Sequence, residues 1–398
     1  MKEAFKRIFF LGLVLSTTLN VAKSQHIVQK PVVPGAERMV LVTPLLKHKT
    51  IAIVANQTSM VGKIHLVDTL LSLGANIKKI FSPEHGFRGD EEAGKSIANG
   101  RDAKTGIPII SLYGKKLKPS AADLAGIDVV IYDIQDVGVR YYTYISTLYY
   151  VMQGCAENLK LLMILDRPNP NGFYIDGPVL DLKYKSFVGM LPIPLVYGMT
   201  SAELAYMINE EKWLPNKLEC SLGWIPCLNY SHKTLYKLPV NPSPNLRNMR
   251  SIYLYPSLGL FEGTVMNVGR VTEFPFQVYG NPQFIDTTFK FTPDKLISGI
   301  RPVHYNKKCF GVDLRNLSED ELVINARVNL SYIKNALENY PKKEEFFNSF
   351  FENLAGTGDL RKQLMAGESE DSIRLSWKPA LDKFKEIRKK YLIYEDFK

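Results

Sequence analysis

Cysteine and histidine are scarce: the chain carries four Cys and six His in 398 residues. A disulfide scaffold is thereby excluded, and little is left from which to build a metal centre rich in those ligands. Cys155, Cys220, Cys227 and Cys309 match no zinc-ligand spacing. Cys155 and Cys309 read as buried thiols, whereas Cys220 and Cys227 are close enough in sequence to bridge a local turn, a question left open. Missing too are a Gly-x-Ser-x-Gly elbow, a His-Glu-x-x-His pair and a Gly-x-Gly-x-x-Gly loop after the first strand. Serine hydrolase, zinc protease and dinucleotide enzyme lose ground, and phosphate-loop nucleotidase is set aside with them. There is no internal repeat, no low-complexity tract and, beyond the N-terminus, no apolar run long enough to cross a bilayer.

What is present is ordinary globular composition, 45% hydrophobic and 23% charged, in a length that suggests two domains. The formal net charge of +10 is dispersed. Short basic runs such as Lys115-Lys116-Leu117-Lys118 and Arg388-Lys389-Lys390 read as solvated faces, so a nucleic-acid partner is not expected. An anionic substrate or cell-envelope polymer fits the charge better. At the N-terminus, Lys2, Lys6 and Arg7 precede an apolar stretch over residues 8–15 and then Ala22-Lys23-Ser24 before Gln25. That order is a secretory leader, residues 1–24, with cleavage near Ser24-Gln25 and a periplasmic or secreted mature protein. The apolar stretch is too short for stable membrane insertion, and no Cys near the cleavage point offers a lipid anchor.

From residue 50 onward, strand-like and helix-like segments alternate, which predicts an α/β fold with a parallel sheet. Strands are expected at residues 51–55, 77–81, 107–112, 127–132, 161–165 and 218–224. Helices are expected over 64–73, along the stripe Tyr141, Ile145, Leu148 and Met152, and from Thr200 to about Trp213. Thr200-Ser201-Ala202-Glu203 has capping-box spacing, which makes Glu203 a cap rather than a catalyst. Near residue 282 the character changes. The expected division is therefore a catalytic domain over 25–280 and a smaller α+β domain over 281–398, extended over 303–315, ambiguous over 320–339, and helical over 369–390.

Four polar clusters each follow a strand-like run: Asn56-Gln57, Ser82-Pro83-Glu84-His85-Gly86, Asp133-Ile134-Gln135-Asp136 and Asp166-Arg167-Pro168-Asn169. Parallel neighbouring strands would bring all four to one carboxyl edge, where open α/β sheets bind their ligands. Carboxylates, amides and arginines are the working set of a glycoside hydrolase that needs no cofactor. Glu84 is the candidate general acid, in a loop where desolvation favours the protonated form of a carboxyl group. A surface ion pair or helix cap is the structural alternative. Asp133 and Asp136 are the candidate second carboxylates, unless Arg140 pairs with them. Asn56, His85, Gln135, Asp166, Asn169, Asn245 and Glu262 are candidate substrate contacts, and Tyr142 or Tyr144 could stack a sugar. Arg140, Arg167, Arg247 and Arg270 are candidate forks for a substrate carboxylate. A metal site at His85 with Asp90, Glu91 and Glu92 rests on a single histidine.

Ser82-Pro-Glu-His-Gly-Phe-Arg-Gly89, Tyr132-Asp-Ile-Gln-Asp-Val-Gly-Val-Arg-Tyr-Tyr-Thr-Tyr144 and Asp166-Arg-Pro-Asn-Pro-Asn-Gly172 together resemble the exo-β-N-acetylmuramidases of the NamZ type. So do Asp176-Gly-Pro178, Ser243-Pro-Asn-Leu-Arg247, Phe261-Glu-Gly-Thr264, Ser376-Trp-Lys-Pro379 and Arg388-Lys-Lys-Tyr-Leu-Ile-Tyr394, in order along nearly the whole mature chain. The resemblance implies a Rossmann-like larger domain, a smaller auxiliary domain and a cleft between them. It implies removal of terminal β-1,4-linked N-acetylmuramic acid from peptidoglycan fragments, with Glu84 matching the proposed catalytic glutamate. Two rival readings are a sugar-binding protein that does not cleave and a metal-dependent hydrolase.

Overall fold

Residues 30–87, 99–295 and 301–397 are described by the computed structural model. The expected leader lies outside them, as do Asp90, Glu91 and Glu92. From Val32 to Lys398 the chain forms one unit. Its main sheet contains β1 (Thr50–Ala55), β2 (Asn76–Ser82), β3 (Gly100–Arg101), β4 (Pro108–Ser111), β5 (Val129–Asp133), β6 (Leu161–Leu165) and β7 (Ser221–Ile225). The spatial order is β3-β4-β2-β1-β5-β6-β7, parallel throughout except for the edge pair of β3 and β4.

Runs such as Thr-Ile-Ala-Ile-Val-Ala in β1 and Val-Val-Ile-Tyr-Asp in β5 are nearly all buried. Their β-branched residues suit strands covered on both faces. Alternation divides β1 between two cores: Ile51, Ile53 and Ala55 face one, Ala52 and Val54 the other. The first core is closed by α1 (Met39–Leu46) and α2 (Leu66–Ser72). The larger one is closed by α3 (Tyr144–Glu157), α4 (Ser201–Glu210), α5 (Met249–Leu258) and much of the C-terminal region. Leaving out β3, the strands run third, second, first, fourth, fifth, sixth across the sheet, the doubly wound order, with its switch point between β1 and β5.

Several boundaries differ from expectation for local reasons. Ile64–His65 is a short strand paired with Met60–Val61, so α2 starts only at Leu66. Tyr141 belongs to the turn before α3, although Ile145, Leu148 and Met152 form the expected buried stripe. The Thr200/Glu203 capping box is present.

The C-terminal region has its own antiparallel sheet of β8 (Val278–Asn281), β9 (Phe289–Phe291) and β10 (Cys309–Asp313), in order β8-β10-β9. The ambiguous 320–339 stretch is helical, as Glu319–Ile324 and α6 (Ser331–Glu338), and α7 (Glu370–Arg388) is the charged helix. This region does not keep a separate main core: Val130, Leu254, Leu337 and Phe384 belong to one cluster. Polar ties reinforce that continuity, among them Arg374 Nη1 to Asp176 Oδ1 at 2.8 Å. The four cysteines are free thiols. Cys220 and Cys227 stand at opposite ends of β7, which at the usual strand rise holds them on the order of 20 Å apart.

Candidate active site

All four polar clusters emerge at the carboxyl edge, but most of their side chains are spent lacing that edge together. Asn56 Oδ1 accepts from the backbone N–H and hydroxyl of Thr58, at 2.9 and 2.6 Å. Thr58 Oγ1 in turn accepts from the N–H of Gln135 at 3.0 Å, across the switch point, and Ser59 donates to the Asp133 carbonyl. The Asp133 carboxylate is gripped by Arg167 through Nε (2.6 Å) and Nη2 (3.0 Å), with both side chains buried. Gln135 Nε2 donates to Pro168 O at 2.7 Å, and Asn169 Nδ2 to Met199 O at 2.8 Å. Asp166 accepts from Ala202 N–H at 3.0 Å and from Tyr394 OH at 2.7 Å. The crevice in which a doubly wound sheet usually takes a dinucleotide is thus closed by its own loops.

Asp136 sits behind this wall, with Oδ2 accepting from Gly138 N–H at 2.6 Å and from Tyr197 OH. Its Oδ1 makes no hydrogen bond to the protein. Burial pushes the Asp136 carboxyl up to about 6, and burial likewise lifts Asp166 to about 6. A carboxyl whose folded pKa is raised stabilises the fold fully below its unfolded pKa near 3.8, and that contribution is lost as pH rises through about 6. Asp136→Asn should therefore remove the gain in stability that Asp136 contributes between pH 7 and pH 4, seen as a difference from the parent that grows toward pH 4. At ~1.4 kcal/mol per unit the difference is on the order of 2–3 kcal/mol, read from urea midpoints across that pH range.

The open space lies beside the laced edge. A cavity of about 460 Å³ is lined by residues that include Glu84, His85, Tyr113, Tyr142, Thr143, Tyr144 and Tyr255. Glu262, Arg270, Phe276 and Phe350 contribute further wall. Its size falls in the range of small-molecule pockets, roughly 300–1,000 Å³. Glu84 is delivered by the loop after β2, which turns back through Gly86 N–H to Pro83 O at 3.1 Å. His85 and Gly86 both take positive φ, 69° and 81°, a turn conformation that is costly for the histidine, and Glu84 and His85 both line the cavity. Thr143, at the N-cap of α3, makes no capping bond and instead donates its hydroxyl to Glu84 Oε2 at 2.6 Å.

An aromatic shell holds this arrangement. Tyr142 OH donates to Pro242 O at 2.7 Å and Tyr141 OH to Tyr255 O at 2.7 Å. Tyr142 meets Tyr144 edge-on at 4.8 Å between centroids, and Tyr255 meets Phe276 at 4.9 Å. Burial pushes the Tyr142 and Tyr144 phenols well above their ordinary range, so both remain protonated donors. Facing them, Arg270 Nε donates to Glu262 Oε1 at 2.6 Å while the guanidinium lies over the Phe276 ring at 5.2 Å.

Two family models match nearly the whole of this fold: the N-terminal part of the exo-β-N-acetylmuramidase NamZ over residues 51–250, and its C-terminal part over 253–394. The chain belongs to the NamZ exo-β-N-acetylmuramidase family. A relative from Bacillus subtilis strain 168, named peptidoglycan β-N-acetylmuramidase NamZ, is 36% identical, with 97% of this chain and 98% of the relative aligned. Among solved structures, a DUF1343 family protein from Bacteroides fragilis NCTC 9343 is 49% identical with a TM-score of 0.86, covering 92% of this chain and all of its own. A second DUF1343 protein of that strain is 27% identical with a TM-score of 0.79, covering 92% of this chain and 99% of its own.

Within the NamZ-type fold, the expected site residues divide cleanly. Glu84, His85, Tyr142, Tyr144, Asn245 and Glu262 line the cavity; Asn56, Asp133, Gln135, Asp136, Asp166, Arg167 and Asn169 do not, being engaged in the lacing described above. Arg140 is also outside the lining, bound to four backbone carbonyls. Arg247, outside the lining as well, donates through Nε to Pro244 O at 2.7 Å. Sequence reasoning passed over Thr143, Tyr113, Phe187, Tyr255 and Phe276, all in the lining. For Thr143 a signal existed: a β-branched hydroxyl residue just ahead of a helical stripe, at the end where helices present polar groups. Residues 89–96, Gly-Asp-Glu-Glu-Ala-Gly-Lys-Ser, match the letters of a phosphate loop. Three consecutive carboxylates would oppose phosphate there, and the segment lies outside the described residues. Among the described residues, no three His, Cys, Asp or Glu side chains gather where they could hold a metal ion.

Proposed function

We propose that this chain is a glycoside hydrolase that removes terminal β-1,4-linked N-acetylmuramic acid from peptidoglycan fragments, with Glu84 as its general acid. The observation that carries the reading is the Glu84 carboxyl, largely buried in the cavity wall and hydrogen-bonded by Thr143, on a chain of the NamZ family. In the reaction Glu84 gives its proton to the glycosidic oxygen as the C1–O bond breaks, and positive charge spreads over C1 and the ring oxygen. A water then adds to C1 and gives up a proton to bulk water, from which the Glu84 carboxylate is reprotonated, so the acid is restored. The aromatic wall gives the sugar ring a face to pack on.

The proposal includes export: the leader reading of residues 1–24 implies a mature protein beginning near Gln25, which the intact mass of protein recovered outside the cytoplasm would report.

Chromogenic release from a 4-nitrophenyl N-acetylmuramide, with the matched N-acetylglucosaminide as control, tests the activity. Turnover of the muramide with little or none of the glucosaminide is expected. Tight calorimetric binding of the muramide without product after long incubation would instead make the protein a sugar-binding module. Loss of turnover on chelation, restored by a divalent ion, would move the chemistry to a metal.

A further inference from the structure

We propose that a second cavity, on the other face of α5 from the Glu84 cavity, is a non-catalytic binding site for one neutral N-acetylhexosamine unit of a glycan, with Asn171 and Ser257 receiving its acetamido group. No residue of the second cavity lines the first, so the site stands or falls apart from the muramidase reading.

The periodicity of α5 separates the two spaces. Tyr253 and Ser257, four residues apart, share one face of the helix and line the second cavity, whereas Tyr255, two residues from each, lines the first. The second cavity holds about 280 Å³, at the small end of ligand pockets, which suits one sugar ring rather than a chain. The loop after β6 contributes Asn171 to it, the helix Glu319–Ile324 contributes Leu322, and α6 contributes Tyr332.

Its buried lining is polar in a specific way. Asn171 is fully buried, and its Nδ2 donates to Val137 O at 2.9 Å and Ile252 O at 3.3 Å, but its Oδ1 takes no hydrogen bond from the protein. A buried acceptor in that state costs stability until a donor reaches it. Ser257, also buried, offers the complementary half: its Oγ accepts from Asn329 N–H at 2.8 Å, which leaves the hydroxyl proton to donate. A secondary amide has one N–H and one C=O, and so answers an acceptor and a donor together. On a sugar that group is an acetamide. Leu254 and Leu322 give its methyl an apolar wall, and the half-buried Tyr253 and Tyr332 give the ring a face to pack on. The charged lining residues, Glu321 and Arg327, are both exposed, and Glu321 Oε2 already accepts from the Ser318 N–H and hydroxyl at 2.7 and 2.8 Å. The buried part of the lining is therefore neutral, which favours an uncharged sugar over an anionic one.

Calorimetric titration with N,N′-diacetylchitobiose, a neutral β-1,4-linked pair of N-acetylglucosamines, tests the site, with cellobiose, which lacks the acetamido groups, as control. The wild-type protein should bind the first with a Kd of about 1 mM or tighter. Cellobiose should bind about tenfold more weakly, since it leaves Asn171 Oδ1 without its donor. Tyr253→Ala should weaken chitobiose binding by about threefold to tenfold, roughly what one aromatic contact supplies. Asn325→Trp, at an exposed position of the lining, should abolish it by filling the mouth. Neither variant should alter turnover of the 4-nitrophenyl N-acetylmuramide, because neither residue lines the Glu84 cavity. Chitobiose binding that survives Asn325→Trp in a folded protein places the sugar elsewhere and overturns the proposal. Equal binding of cellobiose, or no binding of either sugar at millimolar concentration, overturns it as well. If the wild-type protein cleaves no muramide, the muramidase reading fails while the titrations still decide this site.

Discussion

Glu84→Gln is expected to lower kcat on a muramide with a poor leaving group, such as a disaccharide, by about a thousandfold, the middle of what a positioned general acid contributes. The same variant should lose far less on a 4-nitrophenyl glycoside, whose leaving oxygen departs without a proton. Glutamine fills the volume of glutamate and its amide oxygen can still accept from Thr143 Oγ1, which meets Glu84 Oε2 at 2.6 Å. The wall should therefore stand while the proton is missing. That contrast between leaving groups separates lost acid catalysis from general damage, because damage would depress both substrates alike. Near-normal cleavage of the disaccharide by Glu84→Gln would remove Glu84 from the chemistry. Thr143→Val should follow the same pattern with a smaller loss, since Thr143 acts through the carboxyl it orients.

The second large effect is on stability, and it falls on Arg140. This side chain is fully buried, and its partners are the carbonyls of Pro178 (2.7 Å), Ile193 (2.9 Å), Leu354 (2.9 Å) and Ala355 (2.7 Å). No carboxylate is among them, and burial lowers the guanidinium pKa to about 9. Arg140 thus clamps the Pro178 and Ile193 segments to the Leu354–Ala355 turn. Arg140→Met fills much of the same volume and takes this donor from the carbonyls of Pro178, Leu354 and Ala355, while Ile193 O keeps the Leu180 N–H at 3.1 Å. At about 1–3 kcal/mol for each buried polar group left unsatisfied, and with some relaxation, the loss should be on the order of 5 kcal/mol. A denaturant midpoint measures it, and a shift under about 1 kcal/mol would show that the clamp is dispensable. Gly356→Ala probes the same contact from the other side, for Gly356 has φ of 76° and an added Cβ would lie 2.5 Å from Arg140 Nη2.

The sheet was legible in the sequence because its strands are nearly continuous apolar runs punctuated by polar clusters. That pattern gives the carboxyl edge, and with it Glu84 in the open. It does not say which polar side chain at such an edge faces solvent and which faces its neighbour. Asp133 and Arg167 read equally well as catalyst and substrate fork or as an ion pair, and only their 2.6 Å contact decides where their charges go. The same ambiguity left Arg270 one of four candidate forks. It comes from a turn far along the chain, and nothing in its local sequence marks the left-handed backbone that brings it to the cavity. The C-terminal region was harder still, since its short strands and helices bury their apolar faces against the larger sheet, a partner that local periodicity does not register.

Ile393 and Tyr394 reach back into the middle of the fold. Tyr394 OH donates to Asp166 at 2.7 Å, and the N–H groups of Ile393 and Tyr394 both donate to Glu203, at 2.9 and 3.3 Å. Asp166 directly follows β6 and Glu203 caps α4, so two buried carboxylates near the middle of the numbering share donors nearly two hundred residues or more away. Each carboxylate has other partners as well, Ala202 N–H for Asp166 and Thr200 N–H with His232 for Glu203, so this segment adds to networks that already exist. A chain lacking Ile393 and Tyr394 would therefore loosen the end of β6 and the start of α4 together, since one short segment bonds a residue at each.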